Sequence, residues 1–210
     1  MRQLTLPPGK LRVLCLGAHA DDIEIGCGGT VLSLLGARPG SSCRWVVFSG
    51  AGAREQEAQA SAAALGASVT VHQFRDGYFP DQFGKIKDAA ESLKSFDPDL
   101  VLTHTREDRH QDHRVVSDLA WQTFRDHLVL EYEVPKYDGD LGAPNVFVPL
   151  TRDVAVRKVS HLMQSFPSQR SKRWFTEDTF LGLMRLRGVE AGAPDGFAEA
   201  FYARKAVLLP

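Results

Sequence analysis

The chain has 210 residues, 43% of them hydrophobic, which is enough apolar material for one full-sized core, and a single domain over residues 1–210 is expected. Lys+Arg 25 against Asp+Glu 26 leaves a formal charge of -1, which excludes a whole-chain basic field for a nucleic-acid backbone, so any grip on an anion must be local. No stretch approaches the roughly twenty apolar residues of a membrane span, residues 1–10 lack the apolar run of a signal peptide, and the 3 cysteines have no CxxC spacing, so a cytoplasmic protein without a disulfide framework is expected.

Five apolar, partly β-branched runs predict strands at 11–16, 45–48, 68–74, 100–103 and 128–134. Between them, helical segments are expected at 29–35, 53–65, 85–96 and 113–125. This alternation predicts an α/β fold, a Rossmann-like three-layer sandwich with a mostly parallel sheet. After about residue 135 the pattern loosens into a short extended run at 145–148 and a helix at 153–164. The remaining tail, from Ser168 through FAEAFYARKAVLL, is expected to form a loop-rich cap over the mouth of the sheet.

Ligands in such sheets sit beyond the carboxyl ends of the strands, and those ends are the polar positions here. The first strand runs into Ala18-His19-Ala20-Asp21-Asp22, and the fourth into His104 and then Arg106 to His113. A buried strand does not ordinarily end in two adjacent acids. A helix N-cap explains one of them and leaves His19 idle. A His-x-x-Asp pair, His19 and Asp22, with a distant His113, supplies the three protein ligands of an open catalytic site. Nitrogen and oxygen ligands suit Zn(II), Fe(II) or another first-row divalent ion. Asp21 is then free to take a proton from water attacking an amide carbonyl, and His110 to stabilise the oxyanion or protonate the leaving amine. Asp112 and His104 are candidates to orient an imidazole from behind.

Residues 18–30, AHADDIEIGCGGT, and His110-Gln111-Asp112-His113 resemble the two motifs of the LmbE-like, or PIG-L, N-deacetylases. The resemblance extends through Arg54-x-x-Glu57-Ala58, Asp76-Gly77 and Pro98-Asp99-x-Val101-x-Thr103-His104, and more weakly to Lys158 and Ser168-Gln169. It implies zinc held by His19, Asp22 and His113, with Asp21 as general base. The implied reaction removes an N-acetyl group from a small-molecule amino sugar or sugar conjugate. Ala20, Ile23 and Gln111 depart from the usual Pro, Glu and Pro of that pattern, and none of the three removes a ligand or the base. Two rival readings stand beside it: hydrolysis of another amide or ester at the same metal, and a non-catalytic metal-binding module.

Gly26-Cys27-Gly28-Gly29 does not fit a dinucleotide fingerprint, because Val31 occupies the position of the last glycine, and these glycines are expected to permit close helix approach. Arg54 is open between substrate contact and an ion pair with nearby glutamates. In the segment 169–175, Arg173 and Trp174 are candidates to bind an anionic substrate moiety such as a nucleotide sugar, against the plainer reading of a solvated charged face.

Overall fold

The computed structural model describes residues 3–207. Seven strands form one sheet in the order β3-β2-β1-β4-β5-β7-β6. They are β1 (Arg12–His19), β2 (Ser42–Ser49), β3 (Ser68–Val71), β4 (Leu100–His104), β5 (Val129–Tyr132), β6 (Val146–Leu150) and β7 (Phe197–Tyr202). β1 to β5 pair in parallel, while β7 pairs antiparallel with both β5 and β6. The helices are α1 (Asp22–Ala37), α2 (Ala53–Ala64), α3 (Phe83–Glu91), α4 (Gln111–Thr123), α5 (Arg152–Ser165) and α6 (Glu177–Ala191). No described helix is long and apolar enough to cross a membrane.

The pleat of β1 sorts the core into two layers. Val13 and Cys15 pack in the cluster that holds Ile23, Ala58, Ala62, Leu162 and Met184, from α1, α2, α5 and α6. Leu14, Leu16 and Ala18 face the other way, against Ile86, Val116 and Leu119 of α3 and α4. Buried on both faces, β1 and β4 read in sequence as continuous apolar runs, as the strands of a covered parallel sheet must.

The expected three-layer sandwich is present, with local differences. α1 begins at Asp22, seven residues before the expected start, because its first turns are buried and the acids hid a helix start. The expected helix 85–96 is an α-helix to Glu91 followed by a 3-10 stretch, Ser92–Phe96. The larger difference is the tail: only 169–175 lies at the mouth of the sheet. α6 packs on a sheet face, and β7 inserts between β5 and β6. β7 alternates no more clearly than a covered strand does, since Phe197 to Phe201 are all buried, so its sequence carried no period to read. Leu208 and Leu209, the end of the expected cap, lie outside the described residues.

α1 crosses the sheet closely at two glycines. A Cβ on Gly26 would sit 2.1 Å from Tyr132 Cδ2, and one on Gly29 would sit 2.6 Å from Leu150 Cδ1. Gly26 and Gly29 are thus packing positions, as expected, with Gly26 bringing α1 against β5, whereas a Cβ on Gly28 would meet only ordinary contacts, the nearest at 3.8 Å.

Candidate active site and metal centre

The carboxyl ends of β1 and β2 and the segments that follow β3, β4 and β5 border a cleft of about 530 Å³. His19 closes β1 and Asp22 opens α1, so the strand-to-helix turn alone sets their spacing. Asp22 Oδ2 accepts the His19 backbone N–H at 2.7 Å, which fixes that turn. His113 enters from the first turn of α4. The three side chains converge: His19 Nδ1 lies 3.2 Å from His113 Nε2 and 3.4 Å from Asp22 Oδ2, and the third side of the triangle, His113 Nε2 to Asp22 Oδ2, is 3.5 Å.

The hydrogen bonds behind these imidazoles determine what the triangle presents. His113 Nδ1 bonds Asp108 Oδ2 at 2.8 Å. His19 Nε2 faces Asp112 Oδ2 at 3.2 Å and Asp76 Oδ1 at 3.1 Å. A carboxylate accepts only, so each ring donates from its outer nitrogen and His113 turns a lone pair inward. Burial lowers the His19 pKa, but its contacts with the carboxylates of Asp112, Asp22 and Asp76 outweigh it and hold the ring well above the usual imidazole range, so that with no cation present its inner nitrogen is protonated as well. Burial holds the His113 pKa down, to about 4, which keeps that ring neutral. Burial pushes Asp22 upward, but the surrounding imidazoles of His113 and His104 outweigh it and hold the carboxyl well below its usual range. A His113 lone pair and an Asp22 carboxylate oxygen therefore point at His19 Nδ1, whose inner proton a divalent cation would replace. Tetrahedral ligands at about 2.0–2.1 Å from zinc lie roughly 3.3 Å apart, which is the size of this triangle. The donor set and its spacing fit a first-row divalent ion.

Asp21 sits at the N-cap position of α1 but makes no side-chain cap bond, so the capping reading of this acid fails. Its φ of 109° is a conformation that costs a non-glycine residue on the order of 1–3 kcal/mol. The strain turns the carboxylate into the cleft, where Arg54 Nη2 donates to Asp21 Oδ1 at 2.9 Å and also to the Ala20 carbonyl. Burial raises the Asp21 pKa to about 6, with Arg54 pulling the other way. Arg54 is therefore ion-paired, principally with Asp21 rather than with the glutamates of its own helix, and it lines the cleft as well.

His110 also lines the cleft, and its Nδ1 accepts the Asp112 N–H at 3.2 Å, which leaves its proton on Nε2. Burial and neighbouring His19 lower its pKa, so it is neutral at pH 7. Asp112 takes the N–H groups of Gly77 and Phe79 besides His19, and so fixes the loop after β3 to the site. His104 is fully buried beneath the centre: it accepts the Ala18 N–H at 3.0 Å, and its Nε2 is 3.3 Å from Asp22 Oδ2. Trp174 lines the cleft, as does Lys172, whereas Arg173 is exposed and away from it. Tight turns closed by Lys172 N–H to the Gln169 carbonyl and Phe175 N–H to the Lys172 carbonyl direct this choice.

Sequence reasoning assigned no role to Asp108, Asp76 or Lys136, all of which touch the centre or its supports. Asp108 stood in a run of charged residues where only the helix start of α4, two residues before His113, could have shown which acid reaches back to the ring. Gln111, in place of the usual proline, donates to the Gly77 carbonyl at 3.1 Å and ties the same two loops together.

The GlcNAc-PI de-N-acetylase (PIG-L) pattern matches residues 14–124, more than half of the chain. The chain belongs to the PIG-L family. This PIG-L protein is an N-deacetylase enzyme, and it is 30% identical over 138 residues, 59% of its length and 74% of the other, to the uncharacterized deacetylase YaiS of Escherichia coli K12. Its fold is similar to that of N,N'-diacetylchitobiose deacetylase from Pyrococcus horikoshii, with a TM-score of 0.71 at 21% identity over 90% of this chain and 82% of that one. It is also similar to GalB, the 4-carboxy-2-hydroxymuconate hydratase of Pseudomonas putida, with a TM-score of 0.74 at 20% identity over 95% and 99%. The PIG-L fold thus carries more than one reaction, and the chemistry must be read from the site.

Proposed function

We propose that this PIG-L protein is a metal-dependent hydrolase that removes the N-acetyl group of an amino sugar or sugar conjugate, releasing acetate and a free amine. The observation that carries the reading is the triangle of His19 Nδ1, Asp22 Oδ2 and His113 Nε2, two imidazole nitrogens and a carboxylate oxygen within 3.2–3.5 Å of one another. These three residues would hold the metal, most simply Zn(II), with Fe(II) or another divalent ion as the alternative that availability decides. When bound, the ion would supply a Lewis acid that polarises the acetyl carbonyl and acidifies water.

The chain's own groups then divide the proton traffic. Asp21, ionised at neutral pH and aimed into the cleft, takes the proton of the attacking water. His110 Nε2–H donates to the oxygen that becomes negative as the carbonyl turns tetrahedral. The proton collected by Asp21 passes to the departing nitrogen, and the acetyl C–N bond breaks to leave acetate and the amine. Arg54 keeps Asp21 directed throughout. Trp174 and Lys172 form the wall on which the sugar and its substituent rest, since an indole face stacks on a sugar ring and an ammonium suits an anionic group. The three thiols, all free in the structure, accord with a cytoplasmic setting.

The test separates two adjacent carboxylates. Asp21→Asn is expected to retain the metal and lose about 10²- to 10⁴-fold in kcat, whereas Asp22→Ala loses the metal itself. Elemental analysis beside acetate release from N-acetylglucosamine, its phosphates and its nucleotide conjugates measures both. Wild-type turnover in Asp21→Asn, or hydrolysis without acetate, defeats the proposal.

A further inference from the structure

Lys136 lies in the loop after β5, outside both sequence motifs and outside residues 14–124. It lines the active-site cleft, which suggests a substrate contact, but its ammonium is already engaged. Nζ lies 2.7 Å from Asp140 Oδ2 and 2.9 Å from Asp108 Oδ1, with the Val134 carbonyl at 3.5 Å, and the side chain is only 9% exposed. Asp140 Oδ2 in turn accepts the Arg109 N–H at 2.8 Å. The loop after β5 is thereby fastened to the loop after β4.

The fastening ends on a metal-facing ring. Asp108 uses Oδ1 for Lys136 and for the His110 N–H at 2.8 Å, and Oδ2 for His113 Nδ1 at 2.8 Å. Asp108 is 2% exposed, and Lys136 supplies the full positive charge beside it. A buried carboxylate without a compensating charge has a strong incentive to rotate toward water, and that rotation releases the His113 ring from the orientation that sends Nε2 inward.

We propose that Lys136 is a positioning residue for the metal centre, acting through Asp108 to hold His113 with its Nε2 lone pair directed at the ion. The inference rests on the reading of His19, Asp22 and His113 as metal ligands.

The experiment measures Zn(II) affinity by chelator competition and the visible spectrum of the Co(II)-loaded full-length protein. The wild type is compared with Lys136→Met, Lys136→Arg, Asp108→Asn and the Lys136→Met/Asp108→Asn double variant. Lys136→Met is expected to weaken zinc binding by about 10- to 100-fold, the effect of losing a group that orients a ligand from behind, and to alter the cobalt bands. Lys136→Arg, which keeps the charge, is expected to recover most of that loss. The double variant is expected to bind no more weakly than Asp108→Asn alone.

Wild-type affinity and cobalt bands in Lys136→Met overturn this inference alone. So do losses that add in full in the double variant, or a raised KM at unchanged metal affinity, which marks a substrate contact. A wild type that takes up no metal overturns the site reading and this inference together. If Lys136→Met does not fold by circular dichroism, Asp140→Asn asks the same question with a milder change. It removes one anchor of the ammonium and is expected to weaken zinc several-fold, and unchanged affinity there counts against the inference.

Discussion

Asp21 and Asp22 are chemically identical neighbours, yet one turn of backbone gives them opposite environments. Asp22 is surrounded by imidazoles that favour its charge, while Asp21 is buried beside a single cation and titrates at about 6. Arg54→Ala should therefore leave metal content unchanged while lowering turnover, because Asp21 loses the group that aims it. The sign of the pH effect follows: Arg54 favours the ionised carboxyl, its removal raises the Asp21 pKa, and the acid limb of the kcat/KM profile moves to higher pH. A profile that does not move would detach Arg54 from the base. The candidate ligands and base were legible in the sequence because strand ends seldom carry an imidazole and two acids. Asp108 and Lys136 were not legible, since a buried ion pair and a solvated one have the same letters.

Among the elements, α1 carries the greatest constraint, because it must place Asp22 at its first turn while crossing the sheet within reach of Tyr132. Gly26→Ala drives a methyl into that ring, at 2.1 Å from Cδ2, and is expected to destabilise the protein by about 1–3 kcal/mol. For a chain of this size the midpoint of thermal unfolding should fall by roughly 2–4 °C per kcal/mol. Gly36→Ala, in the same helix and with nothing within 4 Å, is the control and should be neutral or slightly stabilising. Calorimetry of the two variants distinguishes close packing from helix propensity, and an equal shift in both would refute the packing account. Strand-helix alternation made β1 to β5 readable in order, with ends misplaced by a few residues. The start of α1 was hidden because its acids are buried and its apolar residues are buried on every side, which removes the amphipathic period.

At the scale of the whole molecule, a metal held by His19, Asp22 and His113 would join the first strand, α1 and α4, so stripping it should cost stability as well as activity. Dialysis against a chelator is expected to abolish acetate release and lower the unfolding temperature, and one equivalent of Zn(II) should restore both. Stable, active protein at zero metal content would exclude the proposed centre. The layered α/β plan was legible from the alternation alone. The far edge of the sheet was legible only in part: the extended run at 145–148 marks β6 (Val146–Leu150), but its partner β7 lies 47 or more positions away in sequence and carries no period of its own. That pairing also has a consequence for synthesis. Every proposed ligand has been translated by residue 113, but β7, which joins β6 to the rest of the sheet and whose Glu199 takes the Gly29 and Thr30 N–H groups of α1, follows only at Phe197–Tyr202. A nascent chain therefore holds its proposed ligands long before it can close its sheet, and premature termination between residues 132 and 197 would yield a chain with its ligands translated and an open, unpaired strand edge at β5.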